Sequence, residues 1–254
     1  MSIFEAIILG IVEGVTEFLP ISSTAHLLLV SEILAIPPSA YLSSFIIAIQ
    51  LGAICAVLLL YWRTILLDIE TMKRVAVAFL PTALIGFLLY KLITLFLFEN
   101  LFIVAGALVS GGIVLILFEK FHTPRPHTPE PMSYRTAFLI GCAQALAVVP
   151  GVSRAGATII GGLSLGVSRE RIVEFSFLLA IPTMLAATGY DLLKNGFAFS
   201  GEEWQSLAIG FIVAALAAFV GVRLLVRYIQ THSFAAFGWY RIVLGSLICI
   251  VLLI

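Results

Sequence analysis

This chain is short of charge. Of its 254 residues only 11% are Asp, Glu, Lys or Arg, where a soluble domain carries about a quarter. Its 14 basic and 14 acidic side chains cancel, so there is no bulk attraction to nucleic acid and no nucleic-acid partner is expected. Cysteine is scarce as well. Cys55, Cys142 and Cys249 are odd in number, sit in apolar segments and make no C-x-x-C pair. That argues against a disulfide framework or a zinc site and predicts small core residues. The first residues lack the basic start and the small-residue cleavage site of a signal peptide and carry Glu5 instead, so this segment is expected to stay in the mature protein. What remains is apolar: 61% of residues are hydrophobic and the mean hydropathy is +1.16. The composition is that of an integral membrane protein.

Uncharged apolar runs at 45–62, 101–118, 175–190 and 206–222 come near the length that spans a bilayer. Two other apolar segments are interrupted, one by Pro81 and one around Pro20. The second interruption is the densest polar cluster of the chain, Glu13-Gly-Val-Thr-Glu17-Phe-Leu-Pro-Ile-Ser22-Ser23-Thr24-Ala-His26. Glu13 and Glu17 are four apart and share a helix face, where like charges repel. Ionisable groups at membrane depth are costly and are read as functional. A cation, a proton or a substrate has to compensate them.

Residues 119–135 hold Pro124, Pro126, Pro129 and Pro131 with Lys120, Arg125 and Arg135, and read as a linker between two apolar halves. A shift of 130 residues places Pro20 on Pro150, Ser23 on Ser153 and Phe45 on Phe175. The expected fold is therefore an all-α polytopic membrane protein with about six transmembrane helices, two re-entrant helix-loop-helix segments and two inverted-topology repeats. The first repeat covers 1–120 (re-entrant segment 6–34 plus three spans). A cytoplasmic Pro-rich linker covers 121–132. The second repeat covers 133–254 (re-entrant segment 136–167 plus three spans).

Loop charge agrees with this topology. If both broken segments enter and leave on one face, Arg63, Lys73, Arg74, Lys120, Arg125, Arg135, Arg169, Arg171, Arg223 and Arg227 share a face, and Lys194 lies on the other. Lys91, Arg154 and Arg241 fall within or near spans. The basic face is cytoplasmic by the positive-inside rule. Both termini then lie outside, and the first re-entrant loop opens outward.

Each broken segment reads as one helix stopping and another starting. The tips are Pro20-Ile-Ser22-Ser23-Thr24-Ala-His26 and Pro150-Gly151-Val-Ser153-Arg154-Ala155-Gly156-Ala-Thr158. Free N–H groups at a helix start bind phosphate, Gly151 and Gly156 admit a ligand close to the backbone, and Arg154 supplies a fork matched to phosphate oxygens. Together the tips hold the parts for phosphoryl transfer. Glu13 and Glu17 are candidate ligands for a divalent cation, Mg or Ca. Ser23 is the favoured nucleophile and His26 the acid–base that handles its proton. Attack by His26 itself stays open, and Arg154 offsets developing charge. Ser22, Thr24, Gln50, Gly151, Ser153, Gly156 and Thr158 are candidate substrate-binding residues.

Plainer readings stand beside these. The hydroxyls cap a helix, His26 is a satisfied buried histidine, the glutamates relay a proton, or Arg154 pairs with one of them. Gln50 lines the site or bonds between helices. Asp191 is expected at the interface, Glu174 at the rim beside Arg171, and the pairs Gly111-Gly112 and Gly161-Gly162 at close helix contacts. His122 and His127 belong to the linker.

At these residues the chain resembles the bacterial undecaprenyl-diphosphatase family, also called the bacitracin-resistance protein family. The resemblance runs nearly end to end. It is carried by Glu13-Gly-Val-Thr-Glu17, Pro20-Ile-Ser-Ser-Thr-Ala-His26, Ile49-Gln50-Leu51-Gly52 and Pro150-Gly-Val-Ser-Arg-Ala-Gly-Ala-Thr158. Ala155 stands where the family pattern has a second serine, so no role for that hydroxyl transfers. The resemblance implies hydrolysis of undecaprenyl diphosphate to undecaprenyl phosphate and phosphate, which recycles the carrier lipid for peptidoglycan synthesis and confers bacitracin resistance. It also implies a divalent metal, a plasma-membrane location, a site facing the periplasm or exterior, and central roles for Glu17, Ser23, His26 and Arg154. A transporter or flippase of a polyprenyl phosphate is the alternative from another class. Self-association into a homodimer is left open.

Overall fold

A computed structural model describes residues 1–92, 100–122, 132–195 and 199–253. The elements in chain order are α1 (Ile3–Thr16), α2 (Ser23–Ile33), α3 (Ala40–Leu60), α4 (Trp62–Leu67), α5 (Ile69–Leu92) and α6 (Leu101–Phe121). After the linker come α7 (Tyr134–Gln144), a 3₁₀ turn (Ala145–Val148), α8 (Arg154–Ser164), α9 (Arg169–Asn195), α10 (Gly201–Ile229) and α11 (Ala235–Leu253). Among the described residues six helices, α3, α5, α6, α9, α10 and α11, are long and apolar enough to cross a bilayer. The chain is an all-α, multi-pass membrane protein. The prolines and His127 of the expected linker lie outside the described residues.

Local chemistry explains where the helices begin. Ser2 and Glu5 form a reciprocal capping box at the start of α1, and Ser200 and Glu203 form the same box at α10. Asp68 opens α5: the Thr71 amide and hydroxyl donate to it at 2.9 and 2.7 Å, which holds its carboxyl below the usual carboxylate range. Pro81 and Pro182 sit inside α5 and α9 without ending either helix. Pro81 therefore does not interrupt its span as the sequence suggests, because neighbouring helices at membrane depth offset a lost backbone bond.

The two broken segments are built alike. α1 lies against α10, and α7 against α5. A Cβ on Gly10 would sit 2.7 Å from the Gly210 carbonyl oxygen, and one on Gly141 would collide with the Ala78 carbonyl. Both contacts need a bare backbone. Cys142, next to Gly141, consequently turns outward and is exposed, whereas Cys55 and Cys249 are half-buried; all three are free. α2 and α8 end in the same Schellman cap, with Ile36 N–H on the Ser31 carbonyl at 2.9 Å and Val167 N–H on the Gly162 carbonyl at 3.0 Å. The left-handed residue of that cap is Gly166 in α8 (φ 84°) and Ala35 in α2 (φ 53°). A methyl group there is strained, so Ala35→Gly should stabilise the protein in detergent by about 1 kcal/mol and Gly166→Ala should destabilise it by about as much. Chemical or thermal melting of the two variants checks both signs.

The element starts and ends group at two poles. At one, Tyr41 at the start of α3 donates to the Glu203 carbonyl at the start of α10 at 2.7 Å, and Met1, Leu34 and Phe199 pack on the same cluster. At the other, Arg74 near the start of α5 donates to Met132 at 2.5 Å, and Arg169 at the start of α9 donates to Glu119 at 3.0 Å and to the His232 carbonyl at 2.9 Å. Glu174 accepts from Thr64 at this pole and is half-buried. Between the poles the core runs past Phe18, buried and edge-on to Phe177 with ring centroids 5.3 Å apart.

Candidate active site

α1 stops at Thr16, and Glu17 follows as its C-cap with its side chain 4% exposed. α8 starts with Arg154 behind the N-cap Ser153. The fold brings these ends together. Arg154 Nη2 donates to Glu17 Oε1 at 2.7 Å, and the Ser153 hydroxyl donates to the Leu19 carbonyl at 3.3 Å. Arg154 Nη1 donates to the Ser176 carbonyl of α9 at 2.9 Å, and the guanidinium lies 5.8 Å from the Phe18 ring centre. The other Glu17 oxygen accepts a hydrogen bond from the Ser23 hydroxyl. One carboxylate thus holds the arginine of one tip and the hydroxyl of the other.

Two buried groups beside this triad have nothing to bond. Glu13 is fully buried and neither of its carboxylate oxygens has a hydrogen-bond partner among the described residues; Arg154 Nε has none either. A buried carboxyl group and a buried donor left without partners in one site are costly.

The expected proton path from Ser23 to His26 is not the one the geometry displays. His26 is buried on α2, but its Nδ1 lies 2.8 Å from the Ser22 carbonyl, which only accepts, so Nδ1 carries a hydrogen. Its Nε2 lies 2.8 Å from the Tyr240 hydroxyl of α11, and the two rings stack. Both ring nitrogens are engaged, and the Ser23 hydroxyl donates to Glu17 and not to His26. Ser22 itself sits in the left-handed region at φ 69° and leaves the first turn of α2 without a side-chain cap. Strain of this sort on a non-glycine residue concentrates at functional sites.

A cavity of about 560 Å³ opens on the triad. Its lining includes the polar tip residues Glu17, Ser22, Ser23, Thr24, Ser153 and Arg154, with Gln50 and Gly151, and the apolar Ile47, Phe79, Ala83, Phe87 and Met184, among which Thr82, Gln144 and Thr183 are interspersed. Gly151, at φ 90°, packs its α-carbon on the Val104 backbone where a side chain would not fit. Glu13 and His26 stand behind the lining residues. So do two candidate ligand-binding positions: the Gly156 N–H is taken by Ser153 Oγ at 3.1 Å, and Thr158 donates to the Arg154 carbonyl at 2.9 Å. Their work is to build the start of α8. Asp191, four residues before the end of α9, is buried and lines the cavity wall.

Four participants escaped the sequence reading. Tyr240, Ser176, Gln144 and Arg241 each lie far along the chain from the residue they serve. Only Gln144 carried a signal. Ser2, Gly10 and Ala35 correspond structurally to Ser133, Gly141 and Gly166, an offset one residue longer than the shift that aligns the two prolines, and it sets Gln144 opposite Glu13. Gln144 is fully buried and donates to Thr82 at 2.9 Å and Thr183 at 3.2 Å. The two tips are alike in build and unlike in charge.

Comparison with known proteins shows the family. Residues 6–247 match the family described as Bacitracin resistance protein BacA. The undecaprenyl-diphosphatase of Aquifex aeolicus (strain VF5) is 48% identical over 247 residues, covering 96% of each chain. That of Sulfurihydrogenibium sp. (strain YO3AOP1) is 50% identical over 251 residues, 97% of this chain and 98% of the relative. That of Wolinella succinogenes is 48% identical over 248 residues, 96% of each. A six-span helical protein whose buried carboxylate and arginine meet at two matched helix breaks, and whose residues 6–247 match from the first break to the last span, belongs to the Bacitracin resistance protein BacA family.

Proposed function

We propose that this chain hydrolyses a polyprenyl diphosphate, undecaprenyl diphosphate by the names of its relatives, to the monophosphate and inorganic phosphate. The single observation that carries the reading is the pair of orphans beside a formed triad: Glu13 without a cation and Arg154 Nε without an acceptor. A terminal phosphate entering the cavity accepts from Arg154, while the apolar flank past Phe79, Ala83 and Phe87 takes the start of the tail.

Ser23 Oγ attacks the terminal phosphorus as its proton passes to Glu17, and the bond from phosphorus to the bridging oxygen breaks, releasing the lipid monophosphate. Glu17 hands that proton to the departing phosphate oxygen, then takes one from the water that attacks the phosphoserine and returns it to the Ser23 oxygen as the phosphorus–oxygen bond breaks, which frees phosphate and the serine hydroxyl. Arg154 is held by Glu17 and the Ser176 carbonyl, so its orientation is set before the substrate arrives. His26, tied to the Ser22 carbonyl and to Tyr240, holds the strained first turn of α2.

The donor set fits a divalent cation. Hard ions of this class use one or two carboxylates and complete their shell with water and phosphate oxygens. Glu13 and Glu17 would hold it, and it would supply charge neutralisation to the diphosphate.

The segments 6–34 and 136–167 are read as re-entrant and the halves as inverted repeats. Supporting this, the partner swap α1 with α10 for α7 with α5 repeats in α3 with α10 and α9 with α5. In addition, α7 starts and α8 ends at the pole of Arg74 and Arg169, whereas α1 starts and α2 ends at the opposite pole. With the basic pole cytoplasmic, the protein sits in the plasma membrane with its cavity open to the periplasm or exterior.

Purified protein in detergent should release phosphate from undecaprenyl diphosphate, lose that activity to a chelator and regain it with Mg or Ca. Absence of phosphate release would leave the transporter reading in its place. Release untouched by a chelator would remove the metal from Glu13 and Glu17.

A further inference from the structure

Arg241 is 3% exposed, in the second turn of α11, and has no carboxylate partner among the described residues. Its guanidinium spends its donors on carbonyl oxygens alone. Nε reaches Leu108 at 3.4 Å and Nη2 reaches Ala107 at 3.0 Å, both on α6. Nη1 reaches Pro20 at 3.1 Å, in the first tip, and Nη2 also reaches Gly151 at 3.1 Å, in the second. A buried guanidinium without an ion pair is expensive, so its retention calls for a task that a hydrophobic side chain could not perform.

Joining α11 to α6 is not that task. Those helices already meet through small residues: a Cβ on Gly112 would lie 2.6 Å from the Gly238 carbonyl, and one on Gly245 would lie 2.8 Å from the Ala105 carbonyl. The two remaining acceptors are more informative. Pro20 and Gly151 lie within the chain's two helix breaks, and among the described residues no other side chain from outside the two broken segments bonds to both. Glu17 lies three residues before Pro20, and Arg154 three residues after Gly151. The planar fork therefore sets the distance between the backbones that carry the Glu17–Arg154 pair.

We propose that Arg241 is a positioning residue that clamps the two tips at the separation the phosphatase site requires. Gly111 is the second part of the device. A Cβ there would strike Arg241 Nη2 and lie 2.8 Å from its Cζ, so a bare backbone at Gly111 leaves the guanidinium room to reach the tips. The inference rests on the phosphatase reading for its kinetic consequence but not for its geometry.

Two mild variants test it. Arg241→Lys keeps the charge and loses the fork, since an ammonium is a point donor that cannot serve spread acceptors. Gly111→Ala keeps the arginine and pushes its end aside. Each should fold, melt within a few degrees of the natural protein in detergent, and lower kcat on the order of 10²-fold, the scale of a small misplacement of reacting groups. KM should stay near its normal value, because Arg241 does not line the cavity. The double variant should be no slower than the slower single one, since both remove one clamp. Unchanged kcat in either single variant overturns the proposal, as does full additivity.

A distance measurement separates this from failure of the phosphatase reading. Spin labels at Ile33 and Ser164, exposed at the far ends of α2 and α8, in a background free of Cys55, Cys142 and Cys249, report the span across the two tips. Both variants should shift or broaden that distance. If the natural protein releases no phosphate but the distance still changes, the clamp stands and the activity is wrong. If phosphate is released and the distance is unchanged in both variants, the clamp is wrong and the activity stands.

Discussion

Glu17→Gln is expected to cut phosphate release about a thousandfold, the scale of a lost general base within a preorganised site. The amide keeps the shape of the carboxylate and can still accept from Arg154 or from Ser23. It cannot take the serine proton, and it leaves the arginine without its charge partner. Breaking a buried pair costs about 3–5 kcal/mol, and both side chains here are nearly enclosed, 9% and 4% exposed. The loss of rate should therefore come with a lower melting temperature. Arg154→Lys serves as the comparison. It restores a charge opposite Glu17 but not the contact with the Ser176 carbonyl, so it should recover stability and not rate. A Glu17→Gln enzyme that turns over normally would move the proton transfer elsewhere, with His26 the first candidate.

The second large effect is at Ser23. Ser23→Ala should lower phosphate release by on the order of 10⁴-fold or more, because removing a nucleophile leaves only binding and charge stabilisation. Folding should be nearly unaffected. The Ser23 hydroxyl makes a single hydrogen bond, to Glu17, and α2 starts without a side-chain cap that the change could remove. Rapid quench of labelled substrate should trap a phosphoserine at this position in the natural protein. A phosphohistidine at His26 would reverse the assignment. That outcome requires the ring to leave both the Ser22 carbonyl and Tyr240, since neither nitrogen is free in the arrangement described.

Much of this site was legible because polar residues are rare in so apolar a chain. Two glutamates four apart, a hydroxyl run and a lone arginine after Pro150 are visible against such a background, and each reached the site or the shell behind it. The plain reading that Arg154 pairs with a glutamate and the functional reading that it serves phosphate turn out to be compatible: one nitrogen is engaged by Glu17 and another is left over. The division of labour was not legible. Spacing along α2 placed His26 near Ser23, yet beside the left-handed Ser22 the Ser23 hydroxyl donates to Glu17 and His26 faces α11.

Arg241 marks the limit of pattern reading more sharply. In the sequence it is one basic residue near the end of a span, indistinguishable from a charge that reaches for the interface. Its partners are carbonyl oxygens of Ala107, Leu108, Pro20 and Gly151. Carbonyls are present at every residue and leave no trace in composition or motif.

The amino-acid sequence alone determined the class of solvent, the number of crossings and the inventory of reactive groups. Burial in a bilayer depends on summed hydropathy, and the cost of an intramembrane charge depends on residue type, both of which are local properties. Only the tertiary structure decided which carboxylate meets which cation, which hydroxyl has its proton accepted and what holds the tips together. Apart from the local Ser23–Glu17 bond, those are contacts between residues 90 or more positions apart, fixed by helix packing through bare glycine backbones and by backbone carbonyls that every sequence contains.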